Sequence, residues 1–129
     1  MNTPPSLRDR LWAARGAVQA ERNDEASILS AAEALMKALI ERNKLEPDHM
    51  VSVIFTCTDD LNAQFPAVAA RQLGLDRVPL ICAREIDVPG AMERVIRVIV
   101  HYYAGDEHRN EHAYLGEAQK LRADLHSAQ

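Results

Sequence analysis

Residues 78–103, VPLICAREIDVPGAMERVIRVIVHYY, contain two apolar runs separated by a turn. Val78–Ala83 is short and apolar, as expected of a buried strand. Val88-Pro89-Gly90 has the composition of a turn. From Met92 to Tyr103 the density of β-branched residues predicts a longer strand, although MERVIRVI also fits a helical period. Two strands this close along the chain indicate a sheet.

The clearest helix lies upstream of these strands. Asn23 or Asp24 is suited to cap it, and Asn43 followed by Pro47 ends it. Between these limits apolar residues recur at spacings of three and four, which places them on one helical face. They are Ile28, Ala32, Leu35 and Leu39. We therefore expect one amphipathic helix that packs against the sheet.

Further segments complete the order of elements. Leu11–Val18 fits a helix or a strand and is taken as a strand, and Val51–Thr58 is predicted as a strand that is covered on both faces. The run AVAARQL after Phe65-Pro66 predicts a short helix that Gly74 ends. The order predicts an α/β or, preferably, an α+β fold, with a mixed sheet and helices on one face. We expect a flexible N-terminal extension at 1–10, one domain at 11–125 and a tail at 126–129.

The composition limits the class of protein. The chain has 129 residues, of which 47% are hydrophobic and 26% are charged, with a formal net charge of −4. This excludes collagen-like and disordered proteins and gives no general attraction to nucleic acid or to anionic membranes. No run approaches the roughly 18 apolar residues that a membrane span requires. Cys57 and Cys82 lie in apolar runs and are expected as free thiols, so a cytoplasmic protein is predicted.

The basic residues are biased toward arginine. Of the 15 basic residues, only Lys37, Lys44 and Lys120 are lysine. Arginine binds carboxylates with two parallel hydrogen bonds, so the bias is compatible with a pocket for a small anion. GC-rich codons explain the same bias without a function. Composition alone does not separate these two explanations.

The usual catalytic signatures are missing from the sequence. It contains no G-x-G-x-x-G, P-loop, G-x-S-x-G, C-x-x-C or H-E-x-x-H motif, which argues against dinucleotide, nucleotide and α/β-hydrolase chemistry. His108, Glu111 and His112 have the spacing of a partial zinc site, but a solvated histidine-rich turn is the simpler interpretation. Asp59-Asp60 is similarly interpreted as a loop cap rather than as a carboxylate pair for catalysis or magnesium.

Three ionisable residues lie in or beside apolar strands. Arg15 precedes a Gly-Ala pair, Glu85 follows the run VPLICA, and Arg97 lies inside VIRVIV. A buried arginine requires a partner, and a ligand carboxylate is one candidate. Alternatively, Arg97 faces solvent or forms an ion pair with Glu85 or Glu93.

Four segments together resemble one family, the AroH-class chorismate mutases. They are ARGAVQAERNDEASIL (14–29), DLNAQFPAVAARQLGL (60–75), VPLICAREIDVPGAMERVIRVIV (78–100) and HAYLGEAQKLRADL (112–125). The resemblance implies a homotrimer, built as a pseudo-α/β-barrel with active sites between subunits. It also implies conversion of chorismate to prephenate without a cofactor or a metal, because the rearrangement requires neither.

The resemblance assigns site residues to two walls of a cleft. One chain contributes the catalytic residues Arg15, Glu85, Arg97 and Tyr114. The neighbouring chain contributes Phe65, Ala67, Arg71, Leu121 and Arg122. Further substrate-binding residues are Leu80, Ile81, Cys82 and Ile86.

The resemblance also implies a role for each group. Arg97 would donate to the ether oxygen, Arg15 and Tyr114 would bind the side-chain carboxylate, and Glu85 with Cys82 would bind the ring hydroxyl. Val68 stands where the best-known form of the motif has lysine, which puts the strength of substrate capture in question. Two other functions stay open: a non-catalytic trimeric regulator that binds a small carboxylate, and an imine or enamine deaminase of similar shape.

Overall fold

Residues 9–122 are described by the computed structural model, in which five strands form one mixed sheet. The strands are β1 (Asp9–Gln19), β2 (Met50–Cys57), β3 (Leu80–Arg84), β4 (Val95–Gly105) and β5 (Ala113–Tyr114). They lie in the order β3-β2-β4-β1-β5. β4 is antiparallel to β1 and β2, whereas the outer strands β3 and β5 are parallel to their neighbours. The expected mixed sheet is confirmed.

The long helix α1 spans Glu25–Asn43, as the apolar spacing predicts. Asp24 is its N-cap, and the Asp24 carboxylate accepts a hydrogen bond from the main-chain N–H of Ser27 at 2.7 Å. This bond satisfies one of the donors that a helix start leaves unpaired, and it lowers the pKa of Asp24. Lys44 follows the helix in the left-handed conformation. Asn23 does not cap the helix; its side chain instead bonds to Asn62.

The short helix α2 spans Ala67–Gln72, and two 3₁₀ helices cover Pro47–His49 and Gly116–Leu121. α2 follows Pro66, whose fixed φ suits the start of a helix. Gly74, with φ of 95°, reverses the chain just after α2. The predicted position of this helix is confirmed.

The core lies between α1 and one face of the sheet. Ile28, Leu35 and Leu39 of α1 pack there with every second residue of the central strands. Those strand residues include Val53 and Phe55 of β2, and Ile96, Val98, Val100 and Tyr102 of β4. Gly16 of β1 packs tightly against α1, because a Cβ atom built there would lie 2.7 Å from Leu35 Cδ1. The opposite face of the sheet carries the alternate residues and is called the open face below.

Two sequence expectations require correction. β1 begins at Asp9, so Asp9 and Arg10 belong to the strand rather than to the expected 1–10 extension. β3 is not a buried strand: it lies at the edge of the sheet, and 61% of Ile81 is exposed. The strand expected from Met92 to Tyr103 is confirmed, although it begins at Val95 and ends at Gly105. The rest of the expected extension and the 126–129 tail lie outside the described residues.

Candidate active site

The strand register aligns four residues in one row across the open face. Arg97 of β4 pairs with Thr56 of β2 on one side and with Ala17 of β1 on the other. Ala17 in turn pairs with Tyr114 of β5. Residues paired across strands project from the same face, so all four side chains lie opposite α1. The row brings together residues that are far apart in the sequence.

Arg97 and Glu85 form an ion pair at one end of this row. Arg97 Nε lies 3.0 Å from Glu85 Oε2, and the Thr56 hydroxyl donates to the same carboxylate oxygen at 2.7 Å. Among the described residues nothing else bonds to these two groups. Glu85 Oε1 and both terminal nitrogens of the Arg97 guanidinium are therefore available to a ligand.

A small cavity of about 90 Å³ opens beside this pair. Arg97 and Glu85 line it together with Ile86, which is 88% exposed. Asp60 also lines it, and its carboxylate accepts the main-chain N–H of Arg94 at 3.0 Å. Asp60 therefore caps the loop, as expected, and holds the chain at the start of β4.

Arg15 lies on the open face beside Arg97. Arg15 pairs with Ile99, so Arg97 is its diagonal neighbour on the adjacent strand. Such diagonal pairs are separated by roughly 7 Å, within reach of long side chains. The Arg15 guanidinium is exposed and has no partner within the described part of the chain. Two guanidinium groups thus face the same region, which suits a ligand with two negative charges.

Tyr114 has a buried ring and an accessible hydroxyl. The ring packs with Ala17, Val95 and Ala118 in a small cluster separate from the main core. The hydroxyl makes no hydrogen bond among residues 9–122, yet none of the buried polar side-chain atoms described there lacks a partner. The hydroxyl is consequently the part of Tyr114 that reaches the surface, where it can donate to a ligand.

Leu121 and Arg122 lie near Tyr114 and Arg15 in the same chain. Leu121 packs against the cluster around Tyr114, and the positive charges of Arg15 and Arg122 both act on His112. The expectation that Leu121 and Arg122 complete a neighbour's cleft concerns a contact between chains and stays a prediction; within one chain both residues lie on the side of Arg15 and Tyr114. They extend the wall formed by Arg15 and Tyr114.

A second cavity, of about 370 Å³, is lined by Phe65, Cys57 and Cys82. It adjoins the first cavity at Thr58 and Asp59, which line both. Phe65 is 66% exposed at its rim. Cys57 and Cys82 are free thiols, and burial raises the pKa of Cys57 to about 12. A thiol with this pKa stays protonated at neutral pH and is a poor nucleophile.

The Cys82 thiol points away from Arg97. Cys82 pairs with Phe55, whose side chain lies in the core, so both side chains occupy the α1 face. The main chain of Cys82 has a different orientation. Glu85 N–H bonds to Cys57 O, and Pro79 O accepts from Val53 N–H, so the odd-numbered residues of this segment bond to β2. Hydrogen bonding alternates along a strand, which directs the Cys82 N–H and C=O toward the unpaired outer edge of β3, called the open edge below.

The remaining candidate residues differ in how accessible they are. The Leu80 side chain packs against the core, and Ile81 is exposed on the open face. Ala67 is 2% exposed, so almost none of this residue is accessible in the single chain. Val68 is half-buried and Arg71 is exposed on α2. Within one chain these α2 residues do not line the Arg97 cavity.

The histidines near residue 110 have structural partners. His108 Nε2 lies 2.6 Å from the hydroxyl of buried Tyr102, and His112 Nδ1 accepts the Arg15 main-chain N–H at 2.9 Å. Burial lowers the pKa of both histidines. The turn is thus partly solvated, with both rings half-buried against hydrogen-bond partners. No group of three or more metal-binding side chains occurs between residues 9 and 122.

A third cavity, of about 510 Å³, lies at the far end of β4, beside Tyr102 and the end of α1. It is lined by positive and negative side chains alike, including Arg42, Lys44, Glu46 and Glu111. Residues 9–122 include no helix long and apolar enough to cross a membrane.

Comparison with known proteins identifies the family. The model of the family described as "Chorismate mutase type I" matches residues 11–125. The chain belongs to the type I chorismate mutases. Chorismate mutase AroH of Thermus thermophilus is 44% identical over 117 residues, which are 89% of this chain and 96% of that protein. Chorismate mutase AroH of Bacillus subtilis strain 168 is 37% identical over 113 residues, 86% of this chain and 89% of that protein.

A solved structure shares the fold. A chorismate mutase from Clostridium thermocellum superposes with a TM-score of 0.81 at 43% identity, covering 85% of this chain and 99% of the other. In this type I chorismate mutase chain, the sequence alone did not indicate Thr56 as a site residue. Its parity on β2, opposite to that of Val53 and Phe55, is the signal that places it on the open face.

Proposed function

We propose that this protein catalyses the intramolecular Claisen rearrangement of chorismate to prephenate in aromatic amino acid biosynthesis. Family membership over nearly the whole chain supports this isomerase activity. The observation that carries the mechanism is the Arg97 guanidinium, held through Nε by Glu85 with its terminal nitrogens free. The relatives are named as enzymes, so they do not support a non-catalytic regulator.

The reaction makes two demands on the site. Chorismate must be held as the compact diaxial conformer, and the negative charge that builds on the ether oxygen must be stabilised. A millionfold acceleration corresponds to about 8 kcal/mol, of which one preorganised donor at the developing charge supplies roughly 3 to 4 kcal/mol. Holding the reacting carbons in contact supplies much of the remainder. No proton transfer and no nucleophile are needed.

Arg97 is assigned to the ether oxygen in this proposal. Its Nε is fixed by Glu85, which the Thr56 hydroxyl holds in turn, so the direction of the guanidinium fork is set before substrate binds. A preorganised donor of this kind stabilises charge without reorganising during the reaction. Glu85 has a free carboxylate oxygen for the ring hydroxyl, and the Cys82 main-chain N–H at the open edge of β3 is a second partner for that hydroxyl.

The carboxylates are assigned to the other end of the row. Arg15 and the accessible hydroxyl of Tyr114 bind the side-chain carboxylate, since both project from the open face beside Arg97. Leu121 covers an apolar side of the substrate, and Arg122 attracts the dianion at the mouth of the cleft. Ile81 and Ile86 supply exposed apolar contacts near Glu85.

We further propose that the working protein is a homotrimer with sites between subunits, located in the cytoplasm. A single chain exposes several large apolar side chains, and exposed apolar surface of this kind marks protein interfaces. They are Leu11, Phe65, Ile81, Ile86 and Val88. In the trimer, Phe65, Ala67 and Arg71 of a neighbour complete the cleft. The two free thiols are typical of proteins in a reducing compartment.

The decisive experiment is the loss of chorismate absorbance on addition of purified protein, with prephenate identified as the product. Turnover with micromolar or less protein is expected. No loss of absorbance with folded protein would refute the activity. Light scattering coupled to gel filtration tests the trimer separately, because a monomer that still turns over chorismate would refute only the shared site.

A further inference from the structure

The ladder between β1 and β5 is short and begins just after Arg15. It contains only the pairs Gly16–Ala113 and Ala17–Tyr114. Ala17 O accepts the Leu115 main-chain N–H at 3.0 Å, so Ala17 bonds toward β5. Because strand hydrogen bonding alternates, Arg15 directs its N–H to the same edge of β1, one position beyond the start of β5.

The His112 side chain supplies the hydrogen bond that the next main-chain pair of this ladder would have made. His112 Nδ1 accepts the Arg15 main-chain N–H at 2.9 Å. In a regular ladder the Glu111 carbonyl would accept this N–H. Instead, Glu111 O accepts from the Asn43 side chain at 2.8 Å. The imidazole thus pairs the one main-chain donor of Arg15 that the short ladder leaves unpaired at the β5 edge.

This hydrogen bond requires a neutral imidazole. A neutral ring with its proton on Nε2 can accept at Nδ1, whereas an imidazolium has donors at both nitrogens and would oppose the Arg15 N–H. The charged groups around His112 favour the neutral form. Arg15 of β1 and Arg122 after the 3₁₀ helix both act on the ring, and Arg42 of α1 donates to the His112 carbonyl at 3.0 Å. Burial and the two guanidinium charges lower the pKa of His112.

We propose that His112 is a positioning residue for substrate binding: its neutral ring holds the main chain of Arg15 so that the guanidinium is presented to the substrate carboxylate. The inference rests on the proposed role of Arg15 in the site. It assigns His112 no contact with the substrate. By accepting the Arg15 N–H, His112 holds this residue in the β1 register from which its side chain projects onto the open face.

The test compares two amides at position 112 that differ by one methylene group. The Asn Oδ1 atom of His112→Asn occupies the place of Nδ1 and can accept the Arg15 N–H, whereas His112→Gln carries its amide one bond further, in the place of Nε2. We expect His112→Gln to raise KM about five- to tenfold with kcat within twofold, as the loss of one hydrogen bond implies. His112→Asn should retain both constants within twofold.

Hydrogen exchange gives a second readout. The Arg15 amide should be protected in the wild type and in His112→Asn and should exchange faster in His112→Gln. Circular dichroism and thermal melting check that each variant folds. His108→Gln is the control, because this ring lies four residues upstream and does not contact Arg15; its KM should match that of the wild type.

The outcomes distinguish this inference from the proposed site. Arg15→Ala should raise KM more than His112→Gln does. If Arg15→Ala leaves KM unchanged, the assigned role of Arg15 fails. If Arg15→Ala raises KM while the asparagine and glutamine variants behave alike, the positioning role of His112 alone is refuted. If kcat falls and KM rises equally in both amide variants, the positioning role is also refuted, because a general structural defect would then explain the data.

Discussion

Arg97 Nε lies 3.0 Å from Glu85 Oε2, so the ion pair engages the internal nitrogen of the guanidinium and leaves both terminal nitrogens to face a ligand. The pair is partly exposed and is therefore expected to contribute little to stability. Its role is to orient the Arg97 guanidinium. Glu85 fixes the plane of the guanidinium, and Thr56 fixes Glu85.

Arg97→Ala should lower kcat by about a thousandfold, because it removes the donor at the developing charge on the ether oxygen. Arg97→Lys should recover only a small part of this loss, since lysine offers a point charge without the Nε anchor. The rate of chorismate consumption at saturating substrate gives kcat, and circular dichroism confirms the fold. Near-normal turnover in Arg97→Ala would remove Arg97 from the central role.

Thr56→Val keeps the shape of a β-branched residue and removes the hydroxyl that donates to Glu85. We expect kcat/KM to fall about fivefold, as for the loss of one hydrogen bond to a charged group, with little change in melting temperature. Ser52→Ala is the matched control on the same strand, because the Ser52 hydroxyl bonds to His101 instead. Equal effects of the two substitutions would contradict the proposed role of Thr56.

Gly16→Ala should destabilise the fold by about 2 to 4 kcal/mol, because the added methyl group overlaps rigid neighbours. Its Cβ would lie 2.6 Å from Ala113 O and 2.7 Å from Leu35 Cδ1. Gly105→Ala is the control, since a Cβ there has nothing within 4 Å. Urea unfolding measures both variants. A Gly16→Ala protein as stable as Gly105→Ala would show that β5 and α1 can move apart at little cost.

The free energy of unfolding should fall as the pH rises above 9. Burial raises the pKa of Cys57 from 9.0 to about 12, so the unfolded chain loses this thiol proton first and alkaline pH favours unfolding. Tyr102 adds a similar dependence above pH 10, since burial raises its pKa to about 12. Cys57→Val should make the decline between pH 9 and 10.5 shallower in urea unfolding. An unchanged slope would contradict burial of a protonated thiol.

The free energy of unfolding should also fall as the pH drops below 6.5. Burial lowers the pKa of His108, so the unfolded chain takes up a proton that the folded chain excludes. Asn110 Oδ1 accepts from the Tyr102 hydroxyl at 2.6 Å, which makes His108 Nε2 the donor to that oxygen. His108→Gln keeps an N–H near this position without titrating and should reduce the acid slope. A steeper slope in this variant would refute the explanation.

Local sequence signals predicted most of the fold. The spacing of Ile28, Leu35 and Leu39 and the cap at Asp24 defined α1, because these signals act within a few residues. β5 was not predicted. Two residues carry no periodicity, and this strand exists only because β1 offers an unpaired edge. The apolar content of β3 suggested full burial, which a single chain does not provide at the edge of its sheet.

The site was predictable as a set of residues but not as a geometry. An arginine among β-branched residues pointed to Arg97, and the four family segments supplied its companions. Thr56 was not singled out, and His112 was considered only as a zinc ligand, because their contacts depend on how distant segments meet: Thr56 contacts Glu85, and His112 contacts the main chain of Arg15. The grouping of Leu121 with Tyr114 likewise depends on how the C-terminal 3₁₀ helix folds back onto the sheet.

The row formed by Thr56, Arg97, Ala17 and Tyr114 aligns four adjacent strands at one level of the candidate site. A slip of any one strand by a single residue would turn its contribution to the opposite face, into the core beneath α1. A partly ordered sheet therefore cannot carry a partly working site. During refolding, recovery of turnover should coincide with formation of the correct strand alignment, which makes enzymatic activity a sensitive reporter of cooperative folding in this chain.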